Sequence, residues 1–377
     1  MEPRNDGEGR FAARPFAHAR RLPTTFYRNK PPRIADTVSM NGKRIGKQTV
    51  RFAEPPSIIG YAGVVGKKEG EGPLGSGFDH IGEDLYFGEQ SWEKAESAMQ
   101  RLALEKALDK AKLSPSQLNY IFAGDLLNQC IASSYAMRDS GVSYLGLYGA
   151  CSTMAEGLGL AAMTIDGGYA DYACALASSH FCTAERQFRQ PLEYGGQRSP
   201  TAQWTATAAG AVILAAAGGG PYVTGVTFGR ILDAGIKDVN NMGAAMAPAA
   251  CDTLRTHLED MGLAPSDYDL ILTGDLGRVG RSIVLDFFRR DGLDLSPVYD
   301  DCGVLLFDQK TQDVHAGGSG CGCSAAVLCS MLLNGVREGR WKRVLFCGTG
   351  ALMSPVSCGQ GESIPGICHA VTISGTR

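Results

Sequence analysis

A chain of 377 residues with 44% hydrophobic and 20% charged side chains is globular and can bury a sizeable core, in one large domain or two of ordinary size. Its net charge of −3 gives no electrostatic reason to expect nucleic acid or a broad anionic membrane as the main partner. The longest low-charge stretch, TATAAGAVILAAAGGG at 205–220, is too short and too glycine-rich to span a bilayer. No secretory signal is recognisable, so folding in a cytosol-like compartment is expected.

Residues 1–39 carry eight Arg or Lys and four Asp or Glu among several prolines, with no convincing period. They read as a disordered extension, or as the product of a start placed too early, since Met40 opens MNGKRIGKQTVRF like a fresh beginning. Further on, Ser91 caps a predicted helix whose inward face carries Trp92, Ala95, Met99 and Leu102. The stretch ALDKAKLSPSQLNYIFAGDL (107–126) reads as a helix end, a Pro-Ser turn and an apolar strand closing at Gly-Asp-Leu. After SYLGLY, the stretch GACSTMAE places Cys151 where a strand turns into a helix. That helix has Met154, Leu158, Ala161 and Ile165 on one face, close approach at Gly157 and Gly159, and a C-cap at Gly167-Gly168. The strand YACALASS (172–179) follows, then a glycine-flanked loop with Arg186, Arg189 and Arg198, returning to a strand at Gln203-Trp204.

From here the chain repeats itself. HLEDMGLAPSDYDLILTGDL (257–276) matches 107–126 at a constant offset of 150, with eight of twenty positions identical. At offset 172, Cys151-Ser152 matches Cys323-Ser324, each opening an Ala-rich helix that leads to YACALASS or to VLFCGTGA (344–351). Alternating strand and helix predicts βαβ units with largely parallel pairing, and two copies predict a pseudo-dyad with the Cys151 and Cys323 helices buried between two sheets. The halves are expected at 40–221 and 222–377.

A cysteine at a helix start feels the macrodipole and free N–H groups, which favour thiolate. Two histidines are candidate bases for it: His180 at a strand end after the Cys151 helix, and His369 in the hairpin IPGICHAV; each can equally serve a local hydrogen bond. The other cysteines read as reduced core residues. Cys321-Gly-Cys323 has no second pair or histidine at ligand spacing, so no protein-held metal is expected. GGYAD and GGSGCG lack a GxGxxG pattern and a Walker lysine, and no basic patch is interleaved with aromatics, so neither a nucleotide cofactor nor nucleic acid is expected.

A duplicated α/β chain with a cysteine opening a central helix resembles the thiolase fold, whose members include thiolases and ketoacyl synthases. The resemblance implies a five-layer α-β-α-β-α architecture with two pseudo-dyad-related mixed sheets. The blocks AGDLLNQ, YGACSTMAEG, SSHFCTAERQFR, EYGGQR, MGAAMAPAACDTL, DYDLILTGDLG, AGGSGCGCSA, TGALMSP and ESIPGICHAV more closely resemble the stage V sporulation protein AD family, from about Gly46 to the last residue. That resemblance implies a protein that binds dipicolinic acid (pyridine-2,6-dicarboxylate), with or without Ca2+, and helps load it into the developing spore. It implies membrane-embedded SpoVA proteins as partners, a peripheral place at the cytoplasmic face of the forespore or spore inner membrane, a homodimer paired near YLGLY or its neighbour, and no established reaction.

In the superfamily the position of Cys151 attacks an acyl thioester with help from a nearby His, or a His and an Asn. The corresponding loops here read TGDLGRVG, with Asp275 as its acid, and GSGCGCS, with neither residue. The expectation is a relic nucleophile lining a ligand pocket; the alternative is a residual acyltransferase or ketoacyl-synthase relative acylated on Cys151, with His180 or His369 as base. Cys347 in FCGTG is a weak match to the thiolases' second cysteine.

A planar dicarboxylate needs donors at two ends, whereas its calcium chelate welcomes oxygen ligands. Candidate donors are the helix starts Cys151-Ser152 and Cys323-Ser324, together with Ser319 and His180. Arg186, Arg189 and Arg198 form a candidate anion cluster unless Glu185 and Glu193 pair with them. Asp125 and Asp275 can reach a ligand-borne calcium or simply cap their turns, and Trp204 can stack on a pyridine or pack in the core.

Overall fold

The computed structural model describes residues 42–188 and 197–377. The predicted extension at 1–39, and with it Arg189 and Glu193, lies outside the described residues.

The first half contributes strands β1 (Ser57–Val65), β2 (Tyr120–Gly124), β3 (Ser143–Gly146), β4 (Tyr172–Ser179) and β5 (Ala208–Ala215). The second contributes β6 (Tyr222–Phe228), β7 (Leu270–Thr273), β8 (Tyr299–Asp301), β9 (Arg343–Ala351) and β10 (Gly366–Ser374). Their orders are β1-β5-β4-β2-β3 and β6-β10-β9-β7-β8. Pairing runs antiparallel, antiparallel, parallel, parallel in each. The sheets are therefore mixed rather than largely parallel, because each copy closes with a long strand that returns beside its predecessor. A single residue pair, Tyr222 with Ser57, joins β6 to β1, and a short two-stranded pair, Trp204–Thr205 with Gly318–Ser319, also links the halves. The short strand Thr49–Arg51 crosses over and pairs with β6.

The helices repeat as closely. Helix α1 (Trp92–Ala111) and helix α5 (Met242–Met261) both run twenty residues, 150 positions apart. Ser91 and Asn241 cap them by accepting the N–H of Lys94 and Ala244. Both end in a left-handed residue, Lys112 and Gly262. These helices cover the outer faces, α1 against β1 and β5, α5 against β10 and β9. Between the sheets lie helix α3 (Thr153–Asp166), which packs on strands of both halves, and helix α7 (Cys321–Val327), buried at every position. Close approach is built in: a Cβ on Gly210 of β5 would sit 2.6 Å from the Ala325 carbonyl oxygen.

The remaining named helices are α2 (Ile131–Met137), α4 (Phe181–Phe188) and α6 (Gly277–Arg290). Met154, Leu158, Ala161 and Ile165 all lie in the central core, as their spacing predicts. Trp92 and Leu102 of α1 are only half-buried, while Ala95 and Met99 are fully buried.

Candidate functional site

Cys151 sits in one 3-10 turn, Ala150–Ser152, between β3 and α3. Ala150 is left-handed, at φ 51°, a conformation that costs a residue with a Cβ about 1–2 kcal/mol. The Ser152 hydroxyl donates to the Gly149 carbonyl at 2.7 Å and the Thr153 hydroxyl to that of Ala150 at 2.7 Å, which fixes the turn. Ser152 is thus spent on the backbone, and Ser324, donating to the Cys321 carbonyl at 3.1 Å, plays the same part in the second copy.

A cavity of about 380 Å³ opens over Cys151. Its wall is mainly apolar, with Leu126, Ala184, Phe188, Val239, Met242, Leu352 and Met353. Polar groups enter from Asn128, Tyr148, Cys151, Thr205, Ser319, Ser354 and Ser357. None of the described lining residues is charged. That size and mix belong to small-molecule pockets.

Behind the floor stands Asp275, fully buried. Its carboxylate accepts the Gly320 N–H at 2.8 Å, the Thr349 hydroxyl at 2.8 Å and the Ser319 hydroxyl at 3.3 Å, and it takes the Cys151 thiol as a further donor. Burial first, and then the Asp275 carboxylate, push the Cys151 thiol well above its ordinary range. The helix start does not prevail: a thiol only 6% exposed and facing an acid stays protonated. Burial also raises Asp275 to about 6.

The candidate bases are held elsewhere. His180 is buried, with Nε2 against the Leu85 carbonyl at 2.8 Å and Nδ1 accepting the Cys182 N–H at 3.2 Å. His369, in β10, accepts the Gly229 N–H at Nδ1 at 3.2 Å and packs edge-on against Phe228. Burial lowers His180 and takes His369 down to about 4. Neither lines the cavity. Cys347 lies in the outer core of the second half, hydrogen-bonded to Cys368.

Of the other sequence candidates among the described residues, only Ser319 joins Cys151 at the cavity wall. Asp125 accepts the Leu127 N–H at 2.9 Å and both the N–H and hydroxyl of Ser133, at 2.8 and 2.6 Å; it is a turn cap. The arginine cluster does not form among the described residues. Arg186 pairs with Glu93 and lies over Trp92, while Arg198 pairs with Asp313 at 2.6 Å. Trp204 is packed, stacked on Phe181 at 3.8 Å with the Lys68 amine 3.5 Å from its ring centroid.

Sequence reasoning missed Asn128, Tyr148, Met242, Met353, Ser354 and Ser357 as lining residues. Most fall in blocks quoted for the family resemblance (AGDLLNQ, YGACSTMAEG, MGAAMAPAACDTL, TGALMSP). The signal was present as motif; apolar residues and hydroxyls carried no chemistry that would single them out.

Comparison with known proteins bears on the family and the fold. The family model described as stage V sporulation protein AD matches residues 46–374. The stage V sporulation protein AD of Bacillus subtilis (strain 168) is 44% identical over 329 residues, covering 87% of this chain and 97% of that protein. Among solved structures, OleA of Xanthomonas campestris bound with cerulenin superposes with a TM-score of 0.55 at 17% identity, covering 86% of this chain and 97% of that one. The 3-oxoacyl-(acyl carrier protein) synthase III of Xanthomonas oryzae gives 0.52 at 16%, covering 86% and 100%. At such identities the likeness is one of fold, the thiolase fold.

Proposed function

The chain belongs to the stage V sporulation protein AD family, and from that premise we propose that it is a non-catalytic thiolase-fold protein that binds dipicolinic acid in the Cys151 cavity. One observation carries the reading. The cysteine at the catalytic-type turn is a buried, protonated thiol bonded to a carboxylate, with both candidate imidazoles held away from it. A thiol with no imidazole beside it, whose only neighbouring acceptor is a buried carboxylate already bound to Gly320, Thr349 and Ser319, is a poor acyl acceptor, whereas the cavity above it remains open to a ligand.

The uncharged lining bears on the form of the ligand. A free dianion would enter with no cation among the described wall residues to meet it, at a desolvation cost of several kcal/mol. Its calcium chelate is neutral, planar and supplied with its own counter-charge, and so suits hydroxyls and thioethers. Calcium in this reading arrives with the ligand, and the protein needs no cofactor.

The same reading places the protein in dipicolinate uptake during sporulation, working with membrane-embedded SpoVA partners at the cytoplasmic face of the forespore inner membrane. Among the described residues no helix is long and apolar enough to cross a membrane, which is consistent with attachment through partners. Homodimer formation is part of the proposal: β3 is a sheet edge, with Leu145 and nearby Tyr135 and Tyr148 exposed.

The test is isothermal titration of the protein with dipicolinate, with and without calcium, beside Cys151→Ala. Saturable binding that is tighter with calcium and survives the substitution is expected. Absence of binding under every condition would overturn the ligand assignment, and rapid acylation of Cys151 by acyl-CoA would replace it with an acyltransferase.

A further inference from the structure

A second concavity lies at the other end of the second sheet half. Strand β9 begins at Arg343 beside it and ends at Ala351 in the cysteine cavity wall. Nine extended residues at about 3.3 Å each separate the two sites by roughly 26 Å. The groove measures about 560 Å³ and is bounded by Phe52–Pro55, the end of α5, the start of β9 and the end of β10.

Its charge is unlike that of the cysteine cavity. Three exposed arginines, Arg51, Arg343 and Arg377, line it against a single side-chain carboxylate, Glu54. No guanidinium of the three pairs with a carboxylate among the described residues, though the Arg343 backbone N–H donates to Asp269 at 2.9 Å. Arg51 reaches only the Met261 thioether, at 3.8 Å, and Arg377 only the face of Tyr222, at 5.2 Å. Some other arginines are neutralised, Arg230 by Asp252, Arg255 by Asp291 and Arg281 by Asp300, while the exposed Arg278, Arg290 and Arg337 have no ion pair among the described residues but do not share a groove with one another. Three guanidinium forks left open around one groove repel one another unless an anion sits among them. The lining also includes the apolar Phe52, Pro55, Met261 and Leu263.

We propose that this groove binds a phosphate ester, its phosphate held by Arg51, Arg343 and Arg377 and its apolar body laid on the apolar part of the lining. A phosphate offers three acceptor oxygens in the geometry that arginine forks match bidentately, and an ester supplies the apolar part that this lining receives. The same chemistry is presented by a phospholipid headgroup and by a soluble phosphate ester. The assignment is independent of what enters the cysteine cavity.

The experiment compares the wild-type chain with Arg51→Gln/Arg343→Gln, both exposed positions whose loss leaves the core intact. Melting temperature is followed against inorganic phosphate, and co-sedimentation is measured with phosphatidylglycerol and with phosphatidylcholine vesicles. A saturable rise in melting temperature, with apparent affinity at least tenfold weaker in the double variant and unchanged in Cys151→Ala, is the expected result. Arginine-dependent binding to phosphatidylglycerol vesicles alone assigns the groove to a lipid headgroup; a phosphate response without vesicle binding assigns it to a soluble ester. An equal response in wild type and double variant, or no saturable response in any arm, overturns the proposal.

Discussion

The two Gly-Asp-Leu turns are identical in sequence and 150 residues apart, yet their carboxylates serve different ends. Asp125 keeps all its hydrogen bonds inside its own half, on Leu127 and Ser133. In the second copy the turn N–H that matches Leu127, that of Gly277, is taken by Asp301 from the end of β8 at 2.9 Å, together with the Leu276 N–H at 2.8 Å. Relieved of capping, Asp275 faces inward to Gly320, Thr349 and Cys151. Duplication supplies the frame, and one carboxylate brought in from a neighbouring strand turns a structural acid into part of a cavity floor.

The largest expected effect breaks that pair. Asp275→Ala strands the buried Gly320 N–H and the Thr349 and Ser319 hydroxyls, and should cost about 3 kcal/mol in urea unfolding. Asp125→Ala strands the Leu127 and Ser133 donors and should cost a similar amount. The two differ at Cys151. Removing Asp275 takes away the charge that, after burial, holds its thiol up, so iodoacetamide labelling of Cys151 should quicken in Asp275→Ala and stay at the wild-type rate in Asp125→Ala. Equal labelling rates in the two variants would remove Asp275 from any role at the floor.

Much of this frame was legible in the sequence. Offsets of 150 and 172 place α1 over α5 and β4 over the last eight residues of β9, because helix caps and apolar strand patterns repeat with the chain. The hidden part is directional. Nothing in Gly-Asp-Leu says which way its carboxylate turns, since that depends on Asp301, distant in sequence and unmarked by any motif. Arg186 and Arg198 read as an anion cluster because they share a loop; Glu93 and Asp313, each far along the chain, claim them instead. The arginine groove gave no local signal either, since its three arginines come from the short strand Thr49–Arg51, the start of β9 and the residues after β10, far apart along the chain.

A smaller effect follows from the acids themselves. Burial raises Asp301 to about 7, Asp275 to about 6, Glu69 to about 7 and Glu96 to about 8. In the unfolded chain each returns to the ordinary range near 4. The folded state therefore binds more protons across that interval, and the contribution of these groups is fully present below about pH 4 and lost as pH rises through 6 to 8. Stability should fall from pH 5.5 to pH 8, by up to about 1.4 kcal/mol per pH unit for each group titrating. Asp301→Asn and Glu96→Gln should each flatten the slope of urea-derived stability against pH. A slope that Asp301→Asn and Glu96→Gln leave unchanged would mean that these carboxylates are ionised in the fold throughout this range.

The smallest effect distinguishes the two helix entries. Gly320, at φ 103°, leads into α7 where a Cβ would meet the Ser179 hydroxyl oxygen at 2.5 Å, so only glycine fits. The turn before α3 instead holds Ala150 at φ 51°, whose strain of about 1–2 kcal/mol is tolerated while its methyl lines the cavity. Ala150→Gly removes that strain but frees the unfolded chain by about 0.5–1 kcal/mol, leaving a net gain of about 0.5 kcal/mol. The Thr153 hydroxyl still closes the turn on the residue 150 carbonyl, so Cys151 should keep its place. A loss of more than about 1 kcal/mol would instead show that the methyl earns its position by packing, and that the cavity wall, rather than the backbone of the turn, is what the alanine serves.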